Sequence, residues 1–257
     1  MICEETISVS RKRVIAVSGA GGFIGSHLSE WAEKEGDVVL VELGRELFDS
    51  GELSSSLEAC ETVVHLAGMN RGDDDEIYGT NVRLAEQLVE ALTVEKLRPN
   101  VVYVSSIQRD SSNAYGRSKR EAEKIFQEWA ERVGASLSIL IVPNVFGTGC
   151  RAFYNSVVAT FCHQLSNGDE PKVFGDRELE LLDVEILIQE IVGIIKNPPT
   201  GTDFFRITGM GRISTSELLQ LLSSFQSDSF DEKVLLDLAD PLYSALYRTF
   251  LSYAESK

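Results

Sequence analysis

The run Val14-Ile-Ala-Val-Ser18-Gly19-Ala-Gly-Gly22-Phe-Ile-Gly25 sets the architecture of this chain. A β-branched apolar stretch with no polar alternation reads as a strand buried on both faces. It runs straight into glycines spaced three apart, and then into a helical stripe of Ile24, Leu28 and Trp31. Gly19 suits a tight turn, Gly22 a close backbone approach, and Gly25 close packing of helix on strand. The helix start adds N–H donors and a positive dipole end, which together suit a pyrophosphate. An ordinary tight turn would need no such order of strand, glycines and helix. The expectation is a dinucleotide-binding loop.

The same rhythm continues outward. Residues 37–42, 62–67, 101–105 and 137–142 read as further buried strands, with helices over 22–35, 80–92 and 114–133 between them. This alternation predicts an α/β fold, a Rossmann-type doubly wound parallel sheet. After Pro143-Asn144 the pattern becomes irregular. Helices are expected over 153–165, 187–195 and 218–222, with short strands at 172–174, 179–184 and 204–207. Ser214-Thr-Ser-Glu217 reads as a capping box, and Asp240-Pro241 as an N-cap with N1 proline opening a last helix to about Tyr253. The expected division is a dinucleotide-binding domain over 11–150 and a small substrate-binding lobe over 151–257, interleaved with the core.

The 257 residues are 43% hydrophobic with a formal charge of −16. Such a chain buries a core and repels polyanions, so nucleic acid and anionic membrane are not expected partners. No apolar run approaches a membrane span, and the first residues carry acids before bases rather than a secretory leader. Four cysteines without a C-x-x-C pair fit a reducing compartment, so the expected location is cytoplasmic. No His/Cys spacing suits zinc, and no metal is expected. The Asp73-Asp-Asp-Glu76 run lacks calcium-loop spacing and reads as a solvated turn. Cys162 reads as a small buried hydrophobe. Met69 and Phe153 read as packing residues.

Glu42 stands near the end of the second strand, where a carboxylate grips a ribose 2′-OH and favours NAD. Arg45, three residues on, can instead pair a 2′-phosphate and favour NADP. Both readings stay open. Tyr115 and Lys119 are four residues apart at the start of a long helix and share a face. An adjacent ammonium favours the phenolate and is expected to pull the tyrosine toward working pH. Ser106, ending the fourth strand, can donate to a substrate oxygen.

These residues resemble the short-chain dehydrogenase/reductase superfamily in its extended, sugar-nucleotide branch, the NAD-dependent epimerase/dehydratase family. The resemblance rests on Gly19-x-x-Gly22-x-x-Gly25, Val63-Val-His-Leu-Ala-Gly68, Asn81-Val82, Ser105-Ser106, Tyr115-x-x-x-Lys119 and Pro143-Asn-Val-Phe-Gly147. It implies Ser106, Tyr115 and Lys119 as the catalytic set, with Asn81 in support. It implies Phe23, Ile24, Leu66, Ala67 and Gly68 beside the glycines at the cofactor, and a nucleoside-diphosphate sugar as substrate. Within the branch the chain looks most like reductase domains of capsular-polysaccharide enzymes that make UDP-N-acetyl-L-fucosamine precursors. Those domains reduce a 4-keto sugar with NADPH, so NADP is favoured over NAD by resemblance. Their cupin domain would begin where this sequence stops. A homodimer through the 80–92 and 114–133 helices is expected by analogy.

Some positions depart from the family. Ile141 stands where an arginine is common, and Val184-Glu185-Ile186 replaces Val-Asp-Asp. Ile107-Gln108 follows Ser106 where the dehydratases place an acid, which favours reduction over dehydration. An anionic substrate on so acidic a chain needs local help, for which Arg71, Arg151, Arg177, Asn144 and Asn155 are candidates. The leading expectation is an NAD(P)-dependent reductase of a nucleotide-linked 4-keto deoxy amino sugar. A 4-epimerase with tightly held NAD and a silent dinucleotide sensor are the alternatives.

Overall fold

The computed structural model describes residues 12–226 and 240–255. The first eleven residues, with Cys3, and the 227–239 stretch of the expected lobe lie outside the described residues.

Six strands form a parallel sheet: β1 (Arg13–Ser18), β2 (Val38–Leu43), β3 (Thr62–His65), β4 (Asn100–Ser106), β5 (Leu137–Val142) and β8 (Thr202–Arg206). Their spatial order is β2-β1-β3-β4-β5-β8. The chain leaves β1 toward one edge and returns beyond it to β3, so the β1/β3 boundary is the topological switch point where such sheets bind ligands. Register brings the carboxyl ends together, with Ser18 opposite both Leu43 and His65, and Ser106 opposite Val142.

The pleat explains the continuous apolar runs. Ile15, Val17, Val64, Val102, Leu140 and Val142 point to one face, against Leu28 and Ala32 of α1 (Phe23–Glu35) and Leu187 and Ile191 of α7 (Val184–Lys196). Ala16, Val63, Val101, Tyr103, Leu137 and Ile139 point to the other, against Leu88 and Leu92 of α4 (Asp74–Val94) and Phe126 and Trp129 of α5 (Ala114–Val133). Period-two alternation between two cores makes every position apolar. The two isoleucines noted as departures are packing residues: Ile141 lies against the second core and Ile186 against the first.

Several sequence expectations change. Two short helices, α2 (Arg45–Ser50) and α3 (Leu53–Leu57), join β2 to β3, burying Phe48, Leu53 and Leu57. Helix α4 begins well before residue 80. Asp73 is its N-cap, accepting from the Asp75 N–H at 2.9 Å, and Asp74, Asp75 and Glu76 fill its first turn. The acidic run is thus not a free turn but complements the helix dipole. Residues 172–174 form no strand. Helix α6 starts at Val157 (Val157–Ser166), and Phe153 before it sits at φ 57°, half-exposed, with its ring edge-on to His163 at 5.2 Å.

The second half forms a lobe and also completes the core. Strands β6 (Asn144–Phe146), β7 (Glu178–Asp183) and β9 (Gly211–Ser214) form a small sheet. It packs with α6, α8 (Thr215–Ser224) and α9 (Pro241–Ala254) around Phe146, Phe161, Leu181, Leu218, Leu246 and Phe250. The expected capping box of Ser214 and Glu217 opens α8, and Asp240 with Pro241 opens α9. Cys162 is fully buried in this core, as expected. Between β7 and β9, α7 and β8 return to the large sheet. Asp183 ties the two parts, capping α7 through the Glu185 N–H at 2.9 Å and accepting from Arg248 of α9 at 2.8 Å.

Candidate active site

The glycine loop is tightly built. Gly19 has φ 78°, and a Cβ there would lie 2.8 Å from the Ala67 nitrogen. Both the turn and the adjacent β3 end therefore exclude a side chain. The Ser18 hydroxyl holds these strand ends together. It meets His65 Nδ1 at 2.7 Å and accepts from the Ala67 N–H at 3.3 Å. Gly22 is the N-cap of α1, and a Cβ on it would sit 3.1 Å from the Gly19 carbonyl oxygen. A Cβ on Gly25 would overlap that same oxygen and come within 2.6 Å of Ala20 Cα and O. Around Gly21 there is open space. The loop thus presents bare backbone and a helix start to the switch-point cleft, a fit to a dinucleotide pyrophosphate.

Ser106 ends β4 and caps the short 3₁₀ turn Ile107–Asp110, accepting from the Gln108 N–H at 3.1 Å. Asn113 caps α5 by accepting from the Gly116 N–H at 2.7 Å. A Cβ on Gly116 would meet Ser111 Oγ at 2.6 Å, so this glycine lets the helix start press against the 3₁₀ turn. That contact brings Tyr115 beside Ser106 at the mouth of the same cleft. One turn on, Lys119 is buried. Its ammonium donates to the Val104 carbonyl at 2.9 Å and lies 4.9 Å from the Tyr103 ring and 5.6 Å from the Tyr115 ring.

Burial governs the electrostatics. Desolvation pushes Tyr115 up to about 12, with Ser106 pulling the other way. Burial therefore opposes the pull toward neutral pH expected of Lys119. Desolvation also lowers Lys119 to about 8, opposed by the charge of Glu123. His65, buried beneath them, is pushed down to about 3 by burial and by Lys119, so it is neutral.

A cleft of about 890 Å³ joins these parts. Of the residues singled out from sequence, Gly19, Gly22, Phe23, Ile24, Gly25, Leu66, Gly68, Ser106, Tyr115, Lys119, Asn144, Arg151, Asn155 and Arg177 line it. Ala67, Asn81, Arg71, Glu42 and Arg45 are not among its lining residues. Asn81 acts instead as a clamp. It accepts from the Met69 N–H at 2.6 Å and donates to Met69 O at 2.8 Å and to Ser118 Oγ at 2.9 Å, tying α4, α5 and the loop after β3. Arg71 donates to Phe153 O at 2.6 Å and lies 5.7 Å from the Tyr154 ring, which Arg151 also approaches at 5.7 Å. Asn144 spends its amide on Glu180 O at 3.0 Å, across the small sheet. Glu42 and Arg45 stay exposed at the end of β2.

Sequence reasoning missed Asn70, Gln108, Asn113 and Tyr154, which line the cleft, and Glu123 beneath it. Asn70 and Gln108 each lie two residues beyond stretches that carried the resemblance, and that proximity was their only signal. The buried Asn70 Oδ1 has no hydrogen-bond partner.

Comparison with known proteins agrees with this geometry. UDP-2-acetamido-2,6-beta-L-arabino-hexul-4-ose reductase of Pseudomonas aeruginosa is 30% identical over 241 residues, covering 93% of this chain and 64% of that protein. The crystal structure of the capsular polysaccharide assembling protein CapF from Staphylococcus aureus matches with a TM-score of 0.76 at 30% identity, over 95% of this chain and 65% of that one. The chain thus spans just under two thirds of the length of both relatives. UDP-glucuronic acid 4-epimerase from Bacillus cereus, in complex with UDP-glucuronic acid and NAD, has a TM-score of 0.78 at 19% identity, over 95% of this chain and 99% of that one. At that identity the likeness is one of fold. The model of the NAD dependent epimerase/dehydratase family matches residues 15–204. That match runs from the first strand of the large sheet into its last, and the chain belongs to this family.

Proposed function

We propose that the cleft reduces the 4-keto group of a nucleoside-diphosphate deoxy amino sugar with a nicotinamide dinucleotide. The observation that carries the reading is that Ser106, Tyr115 and Lys119 line one cleft with the glycine loop at the switch point. A reduced nicotinamide bound there supplies a hydride to the carbonyl carbon. Ser106 donates a hydrogen bond to the carbonyl oxygen and holds it beside Tyr115. Tyr115 gives its proton to that oxygen as negative charge develops, and a ketone becomes an alcohol. The Lys119 ammonium stabilises the phenolate left behind, in a site where water is excluded and charges interact strongly. General acid catalysis of this kind contributes roughly 10²–10⁴-fold.

Arg151 and Arg177 in the cleft supply cations for the diphosphate, with Asn155 as a neutral partner. Arg71 serves by holding the 153–154 segment against Arg151. Asn81 positions the loop that carries Asn70. The substrate class follows the Pseudomonas relative, which is named for a UDP-linked 2-acetamido hexul-4-ose. NADPH, paired through Arg45 at the first turn of α2, is the proposed cofactor, with NADH through Glu42 the competing assignment. Pairing of two chains through α4 and α5 is proposed by family analogy alone. Among the described residues no helix is long and apolar enough to cross a membrane. Free Cys60, Cys150 and Cys162 fit the proposed cytoplasmic location.

The test mixes the protein with a UDP-linked 4-keto acetamido sugar and NADPH or NADH, following loss of the reduced nicotinamide. Keto-sugar-dependent oxidation is expected, faster with NADPH. Binding of both ligands without oxidation would support the silent sensor instead. Turnover of a UDP-hexose without added cofactor would support the epimerase.

A further inference from the structure

Glu123 is a buried carboxylate that the mechanism above does not use. It is 2% exposed and lies one turn beyond Lys119, so Tyr115, Lys119 and Glu123 follow one another at four-residue spacing along one face of α5. Its oxygens are fully engaged from the sheet side. The Ser105 hydroxyl donates to it, and Arg109 grips both oxygens from Nε at 2.9 Å and one from Nη2 at 2.6 Å. Ser105 is the residue before Ser106, and Arg109 belongs to the 3₁₀ turn that Ser106 caps. One carboxylate therefore joins the strand end and turn carrying Ser106 to the helix carrying Tyr115 and Lys119.

We infer that Glu123 is a positioning residue for the proton relay: it locks the Ser106 turn onto the Tyr115 helix and sets a carboxylate one turn from the buried Lys119. The inference rests on the reductase reading for its purpose and on the contacts that close on Glu123 for its existence, with the pull of its charge on Lys119 in support. An ammonium 6% exposed has lost nearly all its hydration, and a single carbonyl and two ring faces replace little of it. The groups facing Lys119 are Tyr115 and Glu123 on its own helix, Tyr103 on β4 and the neutral His65 on β3. Glu123 is the one anion among them at neutral pH. Glu123 in turn faces Ser105, Arg109 and the Tyr103 phenol, whose ionisation burial, Tyr115 and Glu123 all oppose. Arg109, itself partly buried, also lies 4.0 Å from Asp110 and 5.8 Å from the Phe204 ring.

The experiment is a lysine ¹³Cε NMR titration of the full chain without ligands, in wild type, Glu123→Gln and Arg109→Gln/Glu123→Gln, with the Lys119 signal assigned by Lys119→Met. The double variant removes the cation that the single variant leaves unpaired, and covers the case in which Glu123→Gln does not fold. Glu123→Gln should lower the Lys119 midpoint by at least about one pH unit, a tenfold fall in the ammonium-to-amine ratio at a given pH. The double variant should also titrate below wild type. In parallel, the alkaline limb of the kcat/KM profile should move down by the same amount, with KM for the dinucleotide unchanged. Glu123→Asp should recover part of both shifts. An unchanged Lys119 midpoint in either Gln variant overturns the inference. If the midpoint moves but no keto sugar is reduced by wild type, the reductase reading falls and the Glu123 coupling stands.

Discussion

Gly25→Ala places one methyl group where the loop and helix touch. Its Cβ would overlap the Gly19 carbonyl oxygen and lie within 2.6 Å of Ala20 Cα and O, all backbone atoms that no rotamer change can move. Either α1 withdraws from β1 or the 19–22 loop shifts. Overpacking of this kind costs roughly 1–3 kcal/mol. Alanine is favoured over glycine in a helix by about 1 kcal/mol, which offsets part of that cost. The net loss is therefore roughly 0–2 kcal/mol, a fall in Tm of at most about 8 °C for a chain of this size. Cofactor affinity should suffer more. The shift misplaces the N–H donors aimed at the pyrophosphate, and one charge-assisted hydrogen bond is worth about 1.5–3 kcal/mol, or roughly 10–150-fold in Kd. The control is Gly79→Ala on α4, where a Cβ meets nothing within 4 Å. It should gain up to about 1 kcal/mol and leave the Kd unchanged. Thermal melts and fluorescence titration with NADPH and NADH read both quantities. Wild-type affinity in a folded Gly25→Ala protein would refute the idea that close packing of helix on loop forms the dinucleotide site.

Burial pushes Lys119 down to about 8, from the 10.5 of a free lysine. The unfolded chain thus binds more protons between those values, and the group's cost, roughly 3 kcal/mol below pH 8, is relieved as pH rises through this window. The stability of wild type relative to Lys119→Met, from urea melts, should climb with pH from about 8 to 10.5; a flat difference contradicts the burial argument. Asn81→Leu strands the Met69 backbone N–H and O and removes a donor from the Ser118 hydroxyl, which keeps its bond to Tyr115 O. It should cost about 2–4 kcal/mol in urea melts and raise KM for the sugar, because the Asn70 loop comes free. Arg45→Ala should weaken NADPH at least about tenfold and spare NADH; an effect on NADH alone, or in Glu42→Ala alone, would assign the site to NAD.

Much of the fold was legible because the sheet is buried on both faces. Val14–Ser18, Val101–Ser105 and Leu137–Val142 are apolar on both faces, with only Ser18, Ser105, Ser138 and the Tyr103 hydroxyl polar, because they fill two cores at once, and that pattern needs no tertiary information. The capping box at Ser214 and the Asp240-Pro241 start were equally local. What escaped depended on long-range packing or on competing local effects. The start of α4 was hidden because Asp73-Asp-Asp-Glu76 looks like solvent-facing charge until the helix dipole it complements is known. In the site, the order of Gly19, Ser106, Tyr115 and Lys119 gave the chemistry. The magnitude of desolvation at Tyr115 did not follow, since it depends on how tightly Gly116 draws α5 onto the 3₁₀ turn. Arg71 read as an anion ligand because its bond to Phe153 O spans 82 residues of sequence. Glu123 gave no signal, being one more acid on a charged helix until Arg109 and Ser105 are seen to close on it.

The central claim is that Tyr115 is the acid in a hydride reduction. The most direct measurement is single-turnover transfer from 4-deuterated NADPH to a UDP-linked 4-keto acetamido sugar, read by mass spectrometry, in wild type and Tyr115→Phe. Wild type should yield the alcohol carrying one deuterium on carbon. Tyr115→Phe should bind the dinucleotide with unchanged Kd and form that product at least about 10²-fold more slowly. Deuterium transfer at near wild-type rate in Tyr115→Phe would contradict the account.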